Sequence, residues 1–336
     1  MQIQHNTSLL GLNTMAVDVR SAAFASFQSV HELKALLKPY YQPLFILGGG
    51  SNVLFTRDFP GLVLRNEMMG REVIQETDDY FLVQAGAGEP WHPFVLWSLE
   101  QNAYGLENLS LIPGSVGAAP IQNIGAYGVE LKDVFHELQA LHIASQEIRT
   151  FSKEECAFGY RDSVFKNALK GAYVILGVTF RLQKSQSPNT SYGMIQKTLA
   201  AWGINEPSPE DVSRAVIHIR SSKLPDPAEL PNTGSFFKNP VIDEEEFKRL
   251  KCRTSEIVFY EMPNNQFKIP AGWLIEQTGW KGKRDGAVGT YEKQALVLVN
   301  HGGATGPEVW AFAQQVQQAV EERFGIRLEP EVNIVG

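Results

Sequence analysis

The sequence predicts an α+β protein with two regions of alternating strands and helices and strand-rich segments between them. Three observations support this class. The first ~65 residues follow a strand, helix and strand pattern, two hairpin patterns occupy the middle of the chain, and strands and helices alternate again from Leu224 onward. The chain has 336 residues, 43% of them hydrophobic and 20% charged, which suits roughly two or three globular domains.

The first region begins with an extended pattern over residues 22–28. Ser29 and Glu32 form a capping-box pattern, in which each side chain satisfies a backbone amide of the first helical turn. The helix that follows is predicted from apolar residues that share one face: Val30, Leu33, Leu36 and Leu37. Short apolar runs predict further strands at residues 44–47, 53–55 and 62–64.

The middle region is dominated by strand patterns. Asp78-Asp79 supplies a turn between two alternating runs, which indicates a hairpin. The predicted elements are, in chain order, a hairpin over 72–75 and 81–85, a helix over 90–102, an ordered loop over 111–128, a second hairpin over 134–151 and a buried strand over 172–182. A polar segment, 183–189, is a candidate domain boundary.

The last region alternates helices and strands. The predicted helices cover 194–202, 211–222, 244–251 and 271–277, and the predicted strands cover 235–239, 257–261, 295–300 and 328–335. Thr305 and Glu308 form a second capping box before a long amphipathic helix, and Gly325 is its predicted C-cap. The final predicted strand carries Glu331.

Composition excludes several classes of function. The net charge of −7 argues against a nucleic-acid-binding protein. Cys156 and Cys252 form no C-x-x-C pair and the seven histidines have no metal-ligand spacing, so we expect unpaired thiols and no catalytic metal. The N-terminus has no signal-peptide pattern, and the longest apolar run, 172–180, is too short to span a bilayer. We expect a monomeric cytoplasmic protein without membrane partners.

Three glycine-rich segments stand out, at residues 48–52, 86–88 and 113–119. Glycine lets a backbone approach a ligand closely, and successive amides can surround a phosphate. The segments match neither a Rossmann fingerprint nor a Walker loop, because the last glycine of the first pattern and the Gly-Lys-Ser/Thr of the second are missing. Each alone is typical of a tight turn, whereas three together indicate a dinucleotide site of another type.

These segments, with the long loop 112–128, resemble the FAD-binding half of the UDP-N-acetylenolpyruvoylglucosamine reductase family, and the resemblance continues over nearly the whole chain. It implies a vanillyl-alcohol-oxidase-type FAD domain with two αβ subdomains, at 1–67 and 68–205, and a C-terminal αβ substrate domain at 206–336. The implied FAD contacts are Gly48, Gly49, Gly50, Ser51, Asn52, Gly86, Ile112, Pro113, Gly114, Ser115, Gly117, Ala118, Ile121, Gln122, Asn123, Gly125, Ala126 and Tyr127.

Three further segments match the family: 159–165, then 220–227 with 232–240 after it, and 329–332. They imply an active site of Arg161, Ser235 and Glu331. The implied reaction uses NADPH to reduce FAD, which passes hydride from its N5 atom to the enolpyruvyl group of a UDP-sugar. Arg161 would stabilise the enediolate that forms, because a guanidinium matches a carboxylate. Glu331 would hold it through a shared proton, and Ser235 would protonate the carbon.

The resemblance also implies a substrate site. Lys223 and Asn239 would lie near the diphosphate and nucleotide, and Tyr192 would sit on a mobile loop that closes over the substrate in one subgroup of the family. The remaining implied contacts are Tyr160, Tyr260, Lys268 and Gln294. NADPH and substrate would use the same pocket in turn. Asn333 is a departure, since many family members carry a basic residue at that position.

Simpler interpretations of the individual residues remain open. Arg161 alone could be a surface ion pair, Ser235 a turn residue and Glu331 a solvated carboxylate. Two alternative functions also remain. The first is another FAD-linked oxidase or dehydrogenase of the same fold, which has no reason to keep Ser235 or the Lys223 segment. The second is a non-catalytic UDP-sugar-binding protein, which would not need the three predicted catalytic residues.

Overall fold

The computed structural model describes residues 2–37, 42–185, 187–254 and 256–336. The chain divides into two compact units. The first contains Met1–Thr7, Ser21–Gly50 and Pro60–Ser222, and the second contains Ser8–Arg20, Ser51–Phe59 and Lys223–Gly336. Both units combine helices and strands, as the predicted α+β class requires. The predicted domain boundaries after residues 67 and 205 stay predictions.

The strands are β1 Gln4–Ser8, β2 Arg20–Phe27, β3 Leu44–Leu47, β4 Val53–Phe55, β5 Phe59–Asn66, β6 Arg71–Glu76, β7 Tyr80–Gly86, β8 Gly125–Ala126, β9 Val129–Glu130, β10 Phe135–His142, β11 Ile148–Ser152, β12 Tyr173–Gln183, β13 Asn232–Ser235, β14 Val241–Ile242, β15 Tyr260–Met262, β16 Gln266–Lys268, β17 Arg284–Asp285, β18 Val288–Tyr291, β19 Gln294–Asn300 and β20 Asn333–Val335. The α-helices are α1 Val30–Leu36, α2 Trp91–Glu100, α3 Leu131–Val134, α4 Gly193–Ala201, α5 Pro209–Lys223, α6 Glu244–Arg253, α7 Ala271–Gln277 and α8 Gly306–Phe324.

The first unit is built on two sheets. One has the strand order β1-β2-β5-β3, with β3 parallel to β5. The other is antiparallel with the order β11-β10-β12-β7-β6, and its β6–β7 pair is the predicted hairpin, with Glu76 opposite Phe81. Before α1, Ser29 accepts a hydrogen bond from the Glu32 amide as predicted, but the Glu32 carboxylate accepts from Gln28 N. The Glu32 half of the capping box is therefore displaced by one residue, from the Ser29 amide to the Gln28 amide.

The core of the five-stranded sheet anchors the glycine-rich loop. Trp91, Phe94 and Phe180 are fully buried, and the Phe94 and Phe180 ring centroids lie 5.1 Å apart, so α2 packs directly on β12. Burying each such side chain contributes roughly 1.5–3 kcal/mol. The Trp91 amide donates to Gly114 O at 3.0 Å. The third glycine-rich segment is thus attached to the buried apolar cluster around Trp91.

The second unit contains a sheet with the order β13-β19-β18-β17 and a smaller one with the order β14-β16-β15. The helices α7 and α8 pack on the larger sheet, and β20 runs parallel to β4. The predicted capping box of Thr305 and Glu308 begins α8, and Gly325 ends it at φ 71°. Buried residues of α8 follow the predicted apolar stripe, including Val309, Phe312 and Val316.

Three predicted strands in this unit are wrong or displaced. Residues 236–239 do not continue β13, and both Phe236 and Phe237 are fully buried instead of alternating between faces. The strand predicted at 328–335 is confined to β20, because Pro330 lacks an amide hydrogen for a ladder. Glu331 therefore precedes the strand. The strand predicted at 257–261 is displaced to β15, where the chain lies opposite β16.

The ordered loop predicted at 111–128 contains regular structure. A 3-10 helix, Val116–Gln122, occupies its centre, and β8 lies near its end. Across the described ranges, no helix is long and apolar enough to cross a membrane. The same part of the chain contains no cluster of three or more His, Cys, Asp or Glu side chains that could hold a metal ion.

Candidate active site

Residues 48–50, 86–88 and 113–119 of the glycine-rich segments predicted to bind FAD all belong to the first unit. The Gly117 amide donates to Ala87 O at 2.9 Å, which joins the second segment to the third. The first segment packs on the same loop through its backbone, because a Cβ added to Gly49 would lie 3.0 Å from Gly114 Cα. Only glycine permits backbones this close. The predicted FAD residues Gly49, Gly50, Gly86, Gly114 and Ala118 belong to the same segments, which form one cradle.

The long loop starts from a peptide that is clamped on both sides. Leu111 has φ 59°, an uncommon conformation for a non-glycine residue. Its amide donates to His92 Nδ1 at 3.0 Å, and its carbonyl accepts from Arg220 Nε at 3.2 Å. Burial and the nearby Arg220 charge lower the pKa of His92, so the neutral ring keeps Nδ1 available as an acceptor. Ile112 and Pro113 follow this fixed point.

Near its end the loop is fixed by Asn123, which is fully buried at φ 44°. Asn123 Nδ2 donates to Glu130 Oε2 at 3.1 Å and to Gly159 O at 2.9 Å, and Asn123 Oδ1 accepts from Lys132 N at 3.0 Å. The side chain therefore shapes the loop, and its contact with FAD stays a prediction. Further predicted FAD residues, Ile121, Gln122, Gly125, Ala126 and Tyr127, lie on either side of this anchor.

Arg161 is held against this loop. Its Nη2 donates to Gly125 O at 2.7 Å, and its guanidinium lies 5.6 Å from the centroid of the Tyr160 ring. The residue has φ 53°, a conformation that costs energy for a long side chain and that often marks functional positions. Arg161 is thus pre-positioned beside the predicted cofactor loop, and the partly buried Tyr160 is its immediate neighbour.

Arg220 is a site residue that sequence reasoning missed. It lies on α5, where its hydrogen bonds reach Leu111 O and the Tyr127 hydroxyl. Burial lowers the pKa of Arg220, and the positive charge of Arg161 lowers it further. Two guanidinium groups in one region favour an anionic or electron-rich ligand. Its spacing in the sequence could have indicated this role, because Arg220 follows Val216 by four residues and so lies on the buried face of the helix.

Tyr192 lies at the start of α4, within the first unit. Its ring meets that of Tyr127 edge to face, with centroids 5.1 Å apart, and 38% of Tyr192 is exposed. Burial raises the pKa of Tyr127, partly offset by its hydrogen bond to Arg220. The Tyr127 hydroxyl therefore stays protonated at neutral pH. The structure brings the predicted lid residue onto the end of the predicted cofactor loop.

Ser235 and Glu331 belong to the second unit and are joined through the backbone. Ser235 ends β13 opposite Val297, and the Glu331 amide donates to the carbonyl of Phe236, the residue that follows Ser235. The Asn52 side chain donates to Glu331 O at 3.3 Å. Ser51 and Asn52, the end of the first glycine-rich segment, therefore belong to this unit with two of the three predicted catalytic residues.

Asn333, where the resemblance led us to expect a basic residue, supports this arrangement. Its backbone amide and side-chain amide both donate to Asn52 O, at 3.1 and 2.9 Å. A shorter, neutral side chain thus acts as a backbone clamp here. The position contributes to the placement of Asn52 and Glu331 and carries no positive charge.

The other predicted substrate residues of the second unit occupy several elements. Asn239 Oδ1 accepts from the Ala271 amide at 2.8 Å, at the start of α7. Tyr260 and Lys268 are opposite each other in β15 and β16, with the Lys268 ammonium 5.9 Å from the Tyr260 ring. Gln294 begins β19, and Lys223 is the first residue of the unit's C-terminal portion. Tyr260 is 51% exposed and accessible to a ligand.

Comparison with known proteins agrees with both units. Residues 21–152 match the model of an FAD binding domain. Residues 226–335 match the C-terminal domain of UDP-N-acetylenolpyruvoylglucosamine reductase. The reductase of that name from Flavobacterium johnsoniae is 50% identical over 337 residues, covering all of both chains. The chain belongs to the UDP-N-acetylenolpyruvoylglucosamine reductase family. The Pseudomonas aeruginosa enzyme of the same name is 49% identical and covers 99% of each chain.

A solved structure agrees with the fold. The crystal structure of UDP-N-acetylenolpyruvylglucosamine reductase (MurB) from Thermus caldophilus aligns over the full length of both chains, with a TM-score of 0.71 and 22% sequence identity. The predicted family, the α+β fold with its FAD-binding domain and the FAD cofactor are confirmed. The roles of individual site residues stay predictions.

Proposed function

We propose that the protein reduces the enolpyruvyl ether of UDP-N-acetylglucosamine to UDP-N-acetylmuramate, using NADPH and bound FAD, in peptidoglycan precursor synthesis. One observation carries this proposal: the chain is about half identical, over its whole length, to enzymes named for this reduction. Full-length identity favours the reductase over another FAD-linked oxidase and over a non-catalytic UDP-sugar-binding protein. Arg161, Ser235 and Glu331 are all present to perform it.

The cradle of the first unit suits FAD. A Cβ on Gly49, Gly86 or Gly88 would lie 3.0 Å or less from the backbone of a neighbouring segment, and the amides of such segments can approach a diphosphate closely. Ile112 to Gly128, which the Leu111 clamp and the Asn123 anchor hold in place, would line the cofactor, and Ser51 and Asn52 are further proposed contacts. FAD, when bound, supplies the chemistry of hydride transfer between NADPH and the substrate.

The enolpyruvyl double bond takes up one hydride at its terminal carbon and one proton at the neighbouring carbon. Arg161 would bind the carboxylate and stabilise the negative charge that builds up before the proton arrives. Its bond to Gly125 O fixes the direction of the guanidinium. Glu331 would hold the enediolate through a shared proton. Ser235 would donate the proton to carbon, which a hydroxyl can do only for a strongly basic centre.

Substrate recognition would involve charge and closure. Lys223 and Asn239 would bind the diphosphate and nucleotide, and Tyr192 would close over the substrate, which would place this chain in the subgroup with the tyrosine loop. The other proposed contacts are Tyr160, Tyr260, Lys268 and Gln294. NADPH would occupy the same pocket before the substrate. The cytoplasmic location, the monomeric state and the three-part domain division at residues 67 and 205 stay proposals.

Ser235→Ala tests the assignment of the proton donor. We expect reduction of the flavin by NADPH to be nearly unchanged and reoxidation by the enolpyruvyl substrate to slow by roughly 10²- to 10⁴-fold, the range for general acid catalysis. Rapid-mixing absorbance measures the two half-reactions separately. Thr233→Val is a matched control, because Thr233 lies two residues away on β13 and its buried hydroxyl has no hydrogen-bond partner among the described residues. Equal loss in both half-reactions of Ser235→Ala would reject the role.

A further inference from the structure

A buried asparagine connects the lid tyrosine segment to the cofactor loop. Asn108 is 1% exposed and lies in the 3-10 turn Glu107–Leu109. Its side-chain amide donates to Tyr127 O at 3.0 Å and to Asn189 O at 2.9 Å. Tyr127 ends the predicted FAD-binding loop, and Asn189 lies three residues before Tyr192. One side chain thus joins two segments that are far apart in sequence.

The orientation of this amide is determined by its partners. Both atoms bound to Asn108 Nδ2 are carbonyl oxygens, so the flipped rotamer would place oxygen against oxygen. Asn108 Oδ1 is buried and has no hydrogen-bond partner among the described residues. A buried unsatisfied acceptor is unfavourable. The favourable interactions of the Asn108 side-chain amide are therefore the two hydrogen bonds that it donates.

The segment that Asn108 holds, residues 187–193, is half-buried or exposed throughout. Ser191, Tyr192 and Gly193 are exposed, so little apolar burial holds them in place. The Asn189 side chain donates weakly to Gly128 O at 3.3 Å and accepts from Ser191 N and Ser191 Oγ at 3.0 and 2.7 Å, which organises the segment internally. The Tyr127–Tyr192 ring contact also links the segment to the loop.

We propose that Asn108 is a positioning residue that docks the Tyr192 segment onto the end of the cofactor loop. Its side-chain amide bonds the backbone carbonyls of Tyr127 and Asn189, and it acts through these two residues. Without it, the segment should detach more often, so that Tyr192 is in place for a smaller fraction of the time. The inferred consequence for substrate affinity rests on the proposed function, whereas the docking itself does not.

Three variants of the full-length FAD-loaded protein separate docking from general stability. Asn108→Ala removes both donors, and Asn108→Leu removes them at a similar side-chain volume and without a charge, which keeps the test valid if the alanine variant folds poorly. Ser110→Ala is the matched control. Ser110 is also buried, lies two residues away, and bonds Ser213 Oγ on α5 at 2.7 Å, away from the Tyr192 segment.

Hydrogen exchange without substrate measures docking directly. We expect amide exchange in residues 187–193 to accelerate about 10- to 100-fold in both Asn108 variants, the factor that two lost hydrogen bonds imply. Exchange in α5 should stay close to the parent protein. Ser110→Ala should leave residues 187–193 unchanged. Unchanged exchange in the Asn108 variants, or equal acceleration in Ser110→Ala, would overturn the proposal.

Steady-state kinetics test the consequence for the substrate. Both Asn108 variants should raise the KM for UDP-N-acetylglucosamine enolpyruvate by about tenfold, with flavin reduction by NADPH nearly unchanged. In a Tyr192→Phe background the same substitutions should raise KM much less, because both act through the same contact. Additive effects would contradict action through Tyr192. If no variant and no parent protein turns over this substrate, the proposed function fails while the exchange result still decides the docking.

Discussion

Gly117→Ala tests the construction of the FAD cradle at a close contact between its second and third segments. A Cβ on Gly117 would lie 2.4 Å from Ala87 Cβ and 3.0 Å from both Ala87 Cα and Ala87 O. Carbon atoms in contact prefer about 3.5–4.0 Å, so the loop must move by roughly 1 Å. None of these atoms belongs to a side chain that can rotate away. The strain must therefore be relieved by the backbone.

The size of the effect follows from the contacts that move. Overpacking of this kind costs about 1–3 kcal/mol. The shift also stretches the bonds from Gly117 N to Ala87 O and from Val116 N to Glu89 O, both 2.9 Å long, each with a net value of about 0.5–1.5 kcal/mol. A loss of at least about 2 kcal/mol in the free energy of FAD binding would raise the FAD dissociation constant roughly 30-fold, since about 1.4 kcal/mol corresponds to a factor of ten.

Flavin fluorescence on titration of apoprotein measures the FAD dissociation constant, and thermal melting measures the remaining effect on stability. Ala87→Gly in the same chain removes the nearest atom and should restore part of the affinity. Gly11→Ala is the control, because a Cβ there meets nothing within 4 Å. Wild-type FAD affinity and stability in Gly117→Ala, or no recovery in the double variant, would refute the reasoning.

Two further predictions concern titratable groups. The pKa of His92 is lowered in the folded protein, so as pH falls below about 6.5 the unfolded chain binds a proton at His92 before the folded chain does. Neutral His92 therefore stabilises the fold above that pH, and this stabilisation declines below it. His92→Asn should therefore show a smaller loss of unfolding free energy between pH 7 and pH 5 in denaturant titrations, and an equal loss would contradict this. Burial and two neighbouring glutamates raise the pKa of Cys156 to about 12, so at pH 8 a thiol reagent should label exposed Cys252 rapidly and Cys156 only after unfolding. Rapid labelling of Cys156 in the folded Cys252→Ser variant would contradict this prediction.

Local patterns in the sequence predicted most elements of the fold. The helix predicted at 271–277 coincides with α7, and the strand predicted at 44–47 coincides with β3, because each is bounded by clear changes in apolar periodicity. The Thr305 capping box predicted the start of α8, since all of its atoms lie within one turn. Predictions failed at 236–239 and before β20, where Glu331 N bonds Phe236 O across about a hundred residues of sequence.

In the candidate site, too, local sequence patterns were predictive and contacts between distant segments were not. Glycine patterns indicated the cradle, because glycine is required wherever backbones approach closely. Arg220, the Leu111 clamp and Asn108 were missed as site residues, because their roles depend on contacts between distant segments. Asn108 and Asn189, for instance, are 81 residues apart and meet only through the fold. The left-handed conformations of Leu111 and Arg161 likewise have no signal in residue type.

Anaerobic stopped-flow absorbance of the purified protein tests the central claim most directly. The protein should be yellow, lose its flavin absorbance on mixing with NADPH, and recover it rapidly on a second mixing with UDP-N-acetylglucosamine enolpyruvate. A protein that is reduced by NADPH but recovers only with oxygen would contradict the assigned substrate and favour an oxidase. A colourless protein that cannot be reconstituted with FAD would contradict the cradle itself.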